Sequence, residues 1–135
     1  MIQVKDIVKS FDGNVVLNHI SADFHDGEVN MIIGQSGSGK TVLMKSMIGL
    51  HPIDEGQIIY DTTYPTPGQR NIAEMSEKEV RMLHREVGML FQGSALFDSM
   101  TVQENVLFPL EMFSQMSHDE MVERARFCLT RVNMP

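Results

Sequence analysis

Gly34-Gln35-Ser36-Gly37-Ser38-Gly39-Lys40-Thr41 spells G-x-x-x-x-G-K-T and stands between a short apolar run and a stripe of apolar residues at helical spacing. Phosphate-binding loops have this pattern for a mechanical reason: glycines let the backbone curl so that successive N–H groups point inward at an anion. A lysine placed as Lys40 is reaches the β- and γ-phosphates of a bound nucleotide, and a hydroxyl placed as that of Thr41 reaches Mg²⁺. The helix expected to begin near Gly39 adds unpaired N–H groups and the positive end of its dipole. Gly34, Gln35, Ser36, Gly37, Ser38, Gly39, Lys40 and Thr41 are therefore candidate nucleotide-binding residues.

The surroundings favour this reading over that of a glycine-serine linker that happens to hold a lysine. Glu28-Val29-Asn30-Met31-Ile32-Ile33 is short and apolar enough for a strand running into Gly34, the strand–loop–helix setting the motif needs. After the loop, Leu43, Met47 and Leu50 recur at i, i+4 and i+7, with Met44 and Ile48 widening the stripe.

Composition narrows the class. A chain of 135 residues with 42% hydrophobic content is long enough for one modest domain with a core. Eleven basic against 18 acidic residues give a net charge of -7, and without a Lys/Arg block this argues against nucleic acid as a partner. No apolar run approaches the length that spans a bilayer, and the N-terminus carries no secretory pattern, so a cytoplasmic location is expected. The single cysteine, Cys128, cannot form an internal disulfide and reads as a helix packing residue. The five histidines lack metal-ligand spacing, so no zinc site is assigned. Most of the twelve methionines read as core filler.

In chain order, residues 2–8 and 15–25 are expected as strands either side of a turn at Asp12-Gly13-Asn14, an antiparallel hairpin beside the loop. Gln57-Ile58-Ile59-Tyr60 reads as a further strand, and residues 61–75, with Pro65, Pro67 and Gly68, as a polar, mobile connection. Ser76 and Glu79 make a capping box, opening a helix whose apolar face is Val80, Leu83 and Val87. Val87-Gly88-Met89-Leu90-Phe91 is expected as a buried strand ending at Gln92, and Gly93 to Val106 as a loop with short helical turns. A second capping box at Ser117 and Glu120 opens a helix with Met121, Ala125, Cys128 and Val132 on one stripe.

Lys9-Ser10-Phe11 ahead of Val16-Leu17, then the phosphate loop, then Val87-Gly88-Met89-Leu90-Phe91-Gln92 together resemble the N-terminal half of an ATP-binding-cassette transporter ATPase. More narrowly, residues 88–102, with Glu104-Asn105-Val106 and Pro109-Leu110, resemble the bacterial subfamily that energises phospholipid trafficking and outer-membrane lipid asymmetry. The resemblance implies an α/β fold: a P-loop NTPase core with an N-terminal antiparallel β subdomain and the beginning of a helical subdomain, an incomplete cassette. The implied divisions are 1–33 for the antiparallel region, 34–92 for the core as far as the glutamine loop, and 93–135 for the start of the helical subdomain.

It also implies ATP and Mg²⁺ as ligands and a role for each matching residue. Phe11 would stack on adenine, for which any aromatic face suffices, and Val16 would pack beside the base. Lys40 and Gln92 would act in catalysis, and Thr41 and Gln92 would reach the metal, Gln92 through a neutral amide oxygen. Plain packing and end-of-strand readings of Phe11 and Gln92 stay open. Residues 93–108 would meet an integral-membrane permease subunit at the cytoplasmic face of the inner membrane, with Leu96, Phe97 and Met100 either exposed to it or tucked into the helical subdomain. A second cassette would complete a homodimer in the full-length protein. The family's signature, Walker B and switch-histidine segments are not in this sequence, so the 135-residue chain is not expected to hydrolyse ATP alone. Two other readings are a nucleotide-binding module without turnover and a soluble, non-transport cassette protein.

Overall fold

The computed structural model describes residues 1–62, 67–93 and 95–134. Two compact units are present, Met1–Met89 and Leu90–Pro135.

The first unit is built on a four-stranded, wholly antiparallel sheet, with β1 (Ile2–Phe11), β2 (Asn14–Phe24), β3 (Glu55–Thr62) and β4 (Gly68–Asn71) in the order β2-β1-β3-β4. Asp12 and Gly13 join β1 to β2 with φ of 48° and 82°, the two left-handed residues that a two-residue hairpin turn requires to match strand twist. β1 is kinked near Asp6, where its register against both neighbours slips between Val4 and Val8. β3 fits this kink only through Gly56: at φ 93°, an added Cβ there would lie 2.5 Å from the Asp6 carbonyl oxygen. The register slips twice more farther along, between Ile7 and Lys9 and between Lys9 and Ser10, each time with the extra residue on β2. Lys9 faces Leu17 and Ser10 faces Val15, which leaves Val16 as the extra residue of a bulge.

Helix α1 (Lys40–Met47) and helix α2 (Glu77–Glu86) complete this unit, with a 3₁₀ turn at Ile72–Glu74. Val4, Ile7, Leu17, Leu43, Met47, Ile58, Tyr60, Ile72 and Leu83 form one buried cluster. The Tyr60 hydroxyl donates to the Met47 carbonyl oxygen at 3.0 Å, tying β3 to the end of α1. Burial pushes its pKa up to about 12. The capping box expected at Ser76 is present, with both reciprocal bonds to Glu79, and Leu83 is the fully buried residue of α2. β4 and the 3₁₀ turn fall where a polar connection was expected. Gly68–Asn71 gains its order by pairing with β3, and the Asn71 side chain caps the turn by accepting from the Ala73 N–H. Pro65 of that connection lies outside the described residues.

Two expected strands do not form. Residues 28–33 pair with no described strand, and Val29, at 95% exposed, and Ile33, at 85%, face solvent. The Asn30 side chain accepts from the His25 N–H at 3.2 Å and donates to the His25 carbonyl at 2.9 Å. Those bonds hold residues 25–30 as a closed turn, so an apolar run that composition marks as β-forming is not extended. Residues 87–91 are likewise without regular structure, and Leu90 is 94% exposed. A strand exists only where a neighbour supplies its hydrogen bonds.

In the second unit, α3 (Val102–Phe113) packs on α4 (His118–Arg131), with Leu107 and Ala125 buried. Helix α3 takes in the end of the expected loop, from Val102 to Val106, and continues to Phe113. Its start was legible, because Thr101 and Glu104 form a capping box at the same spacing as the other two. The box at Ser117 is present as expected. Cys128 is exposed rather than packed, because the face of α4 that is covered runs through Met121, Ala125 and Leu129.

Candidate functional site

The loop from Gly34 to Gly39 enters α1 through Gly39, whose φ of 91° places it in the left-handed region. Gly39 is also pressed against β2: a Cβ there would lie 3.1 Å from the Val16 carbonyl oxygen and 3.3 Å from Val16 Cγ1. Only glycine satisfies both demands. The bulge that makes Val16 an extra residue is therefore what brings β2 against the loop, and bulges beside functional sites commonly re-aim a side chain in this way.

Lys40 folds back over the loop, its Nζ donating to the carbonyl oxygens of Gly34 at 2.8 Å and Gln35 at 2.6 Å. The ammonium is thus held at the loop rather than swinging in solvent. Thr41, on the first turn of α1, is exposed.

The N-terminus of α1 differs from those of the other described α-helices. Helices α2, α3 and α4 each carry a capping box and acidic residues in the first turn. Helix α1 has no side-chain cap and no acidic residue there. Its first-turn N–H groups and positive dipole end are left facing the glycine loop, the arrangement that suits a phosphate. Lys40 holds a cation at the loop and Thr41 adds a hydroxyl-bearing side chain in the same first turn, a donor set whose chemistry suits a nucleotide phosphate with Mg²⁺. Among the described residues no group of three or more His, Cys, Asp or Glu could hold a metal by itself. A metal here would take its ligands from Thr41 and from the nucleotide, as Mg²⁺ commonly does.

Phe11 ends β1, paired with Asn14 across the hairpin turn. It stands in sequence two residues beyond Lys9, on the same face of the strand. Phe11 is 38% exposed, and its ring meets the His51 ring edge-to-face at 5.3 Å. Gln92 belongs to the second unit, in an exposed segment without regular structure. Phe11, Val16 and residues 34–41 belong to the first.

Within the second unit the segment after Gln92 is organised by Asn105. Its side chain accepts from the Phe97 N–H at 2.8 Å and donates to the carbonyl oxygens of Phe97, Met100 and Thr101. Phe97 packs edge-to-face on Phe108 at 4.9 Å, Met100 is half-buried, and Leu96 stays exposed. Of the three apolar residues expected to act together, one faces solvent and two lean on the helical unit. No described helix is long and apolar enough to cross a membrane.

Comparison with known proteins agrees with this geometry. A family model described as "ABC transporter" matches residues 17–135. The phosphonates import ATP-binding protein of Fusobacterium nucleatum subsp. nucleatum is 36% identical, over 99% of this chain and 54% of its own length. The methionine import ATP-binding protein of Clostridium tetani is 36% identical over 85% of this chain and 34% of its own. A probable ribonucleotide transport ATP-binding protein of Mycobacterium leprae is 37% identical over 89% of this chain and 33% of its own. A solved dimeric ATP-binding cassette in a post-hydrolysis state, bound to ADP and Pi, superposes with a TM-score of 0.80 at 26% identity, covering 96% of this chain and 56% of that one. The chain thus spans from a third to about half the length of these relatives.

Proposed function

Because the chain belongs to the ABC transporter family, we propose that it is the nucleotide-binding part of a subunit that couples ATP hydrolysis to transport. The observation that carries this reading is the uncapped N-terminus of α1 behind its glycine loop, in a chain whose other described α-helices close theirs with a glutamate. In this reading the loop amides and Lys40 neutralise the β- and γ-phosphates and Thr41 gives an oxygen ligand to Mg²⁺, while a metal-ligand role for Gln92 rests on the family resemblance alone. Phe11 stacks on adenine and Val16 lies beside it. Catalysis by such a site is positioning and electrostatic stabilisation of an in-line transfer to water.

Residues 93–108 meet the permease in this proposal, and a second cassette completes the ATP sandwich. The solved relative that is dimeric and holds ADP and Pi supports that arrangement. For cargo, the resemblance of residues 88–110 favours phospholipid, whereas the relatives' names speak of phosphonates, methionine and ribonucleotides. The test is magnesium-dependent phosphate release by the longer protein that contains these residues, assembled with its permease in vesicles. Lys40→Ala is expected to lower release by about a hundredfold or more; unchanged release contradicts the assignment. Stimulation of release by phospholipid, but not by phosphonate, methionine or ribonucleotide, supports the lipid reading, and the opposite ranking overturns it.

A further inference from the structure

Lys9 is an unusual place for a charge, at 9% exposure on the inner strand β1. A buried ammonium needs a partner, and Asp54 provides it at 2.9 Å from Nζ. Asp54 does more than neutralise. Its second carboxylate oxygen accepts from the Ser10 N–H at 2.6 Å, and its own N–H donates to the Val8 carbonyl at 2.8 Å. One residue thus fixes three successive positions of β1 directly before Phe11. Lys9 Nζ, so held, lies over the Phe11 ring, 5.1 Å from its centroid, within the range in which a cation is drawn to an aromatic face. His51 meets the same ring at an interplanar angle of 78°. Two neighbours therefore set the ring's orientation, and the exposed part is the area that a base can cover.

We propose that Lys9, clamped by Asp54, is a positioning residue that presets the Phe11 ring as the platform for the nucleotide base. The proposal rests on the reading of Phe11 as that platform. A preset ring loses less rotamer freedom when the base arrives, so the gain should appear in affinity for the base and not in affinity for phosphate.

The test compares Mg-ATP with Mg-tripolyphosphate, which has the phosphates and no base, by calorimetry on the full chain. Lys9→Met keeps the stem and removes the charge, and Lys9→Arg keeps the charge. Lys9→Met should weaken ATP about three- to tenfold and leave tripolyphosphate unchanged, with Lys9→Arg recovering most of the loss. Asp54→Asn, which loosens the clamp without touching the ring, should shift ATP in the same direction. Equal weakening of both ligands would mean that the ion pair only supports the fold, and no change in either would mean that it does not act on the ring; both overturn the proposal. Phe11→Ala separates the two layers. If it leaves ATP affinity unchanged, the platform reading fails and the Lys9 role with it; if it weakens ATP while Lys9→Met does not, only the Lys9 role fails.

Discussion

Residues 55–62 and 28–33 make an instructive pair. Both are short runs containing isoleucines, and both lead away from a turn. In β3, Ile58 pairs with Val4 of β1, and its side chain is fully buried. In the second run Ile33 is 85% exposed and only Ile32 reaches the core. What separates them is the neighbour: β3 lies between β1 and β4, whereas residues 25–30 are closed by Asn30 into a turn that pairs with no strand. Strand formation belongs to a pair of segments, and side-chain composition alone marks only candidates.

The largest expected effect tests this contrast directly. Ile58→Ala should destabilise the chain by about 2–5 kcal/mol, as deletion of a packed aliphatic does, while Ile33→Ala should change stability by no more than about 0.5 kcal/mol. Denaturant melts of the two variants check it, and equal losses would show that residues 28–33 are packed after all. Next comes the kink that lets β3 approach β1. Gly56→Ala places a Cβ against the Asp6 carbonyl at a positive φ and should cost about 1–3 kcal/mol, read from the same melts. A smaller loss, about 1 kcal/mol, is expected for Thr101→Ala, which opens the capping box of α3; amide exchange should show it confined to the first turn of that helix.

The smallest effect is that of pH. Ser76, through its hydroxyl and then its N–H, holds the Glu79 carboxyl below the usual range. The N–H groups of Thr101 and Ser117, followed by their hydroxyls, do the same for Glu104 and Glu120. Asp54 is lowered chiefly by its bond to Lys9. A carboxylate lowered in the folded state stabilises fully above its unfolded pKa, about 3.9 for Asp and 4.3 for Glu, and loses that contribution as pH falls through its folded value. Stability should therefore be flat in these groups from neutrality to about pH 5 and decline below. A thermal-melt series from pH 7 to 3 reads it, and a decline that begins above pH 6 would assign the loss to other groups.

What was legible in the sequence follows the same physics. Local chemistry read well: the Asp12-Gly13 turn, the boxes at Ser76 and Ser117 and the glycine loop each carry their cause within a few residues. The box at Thr101 and Glu104 carries the same signal, but no clean apolar period follows it; Pro109 and solvent-facing Met112 interrupt the stripe. Non-local facts read poorly. Nothing in the spacing of residues 28–33 or 87–91 says whether a partner strand is at hand, and nothing near Val16 announces the bulge that seats it on Gly39. Lys9 in sequence is one more surface-type lysine; its burial depends on Asp54, 45 residues away.

The central claim is that the glycine loop and the open N-terminus of α1 form a phosphate site on this chain. Calorimetric titration of the 135-residue chain with ATP, with and without Mg²⁺, beside Lys40→Ala tests it most directly. Saturable, magnesium-dependent binding that Lys40→Ala removes is the predicted result. No heat for the native sequence in a folded sample, or equal binding by Lys40→Ala, would contradict it.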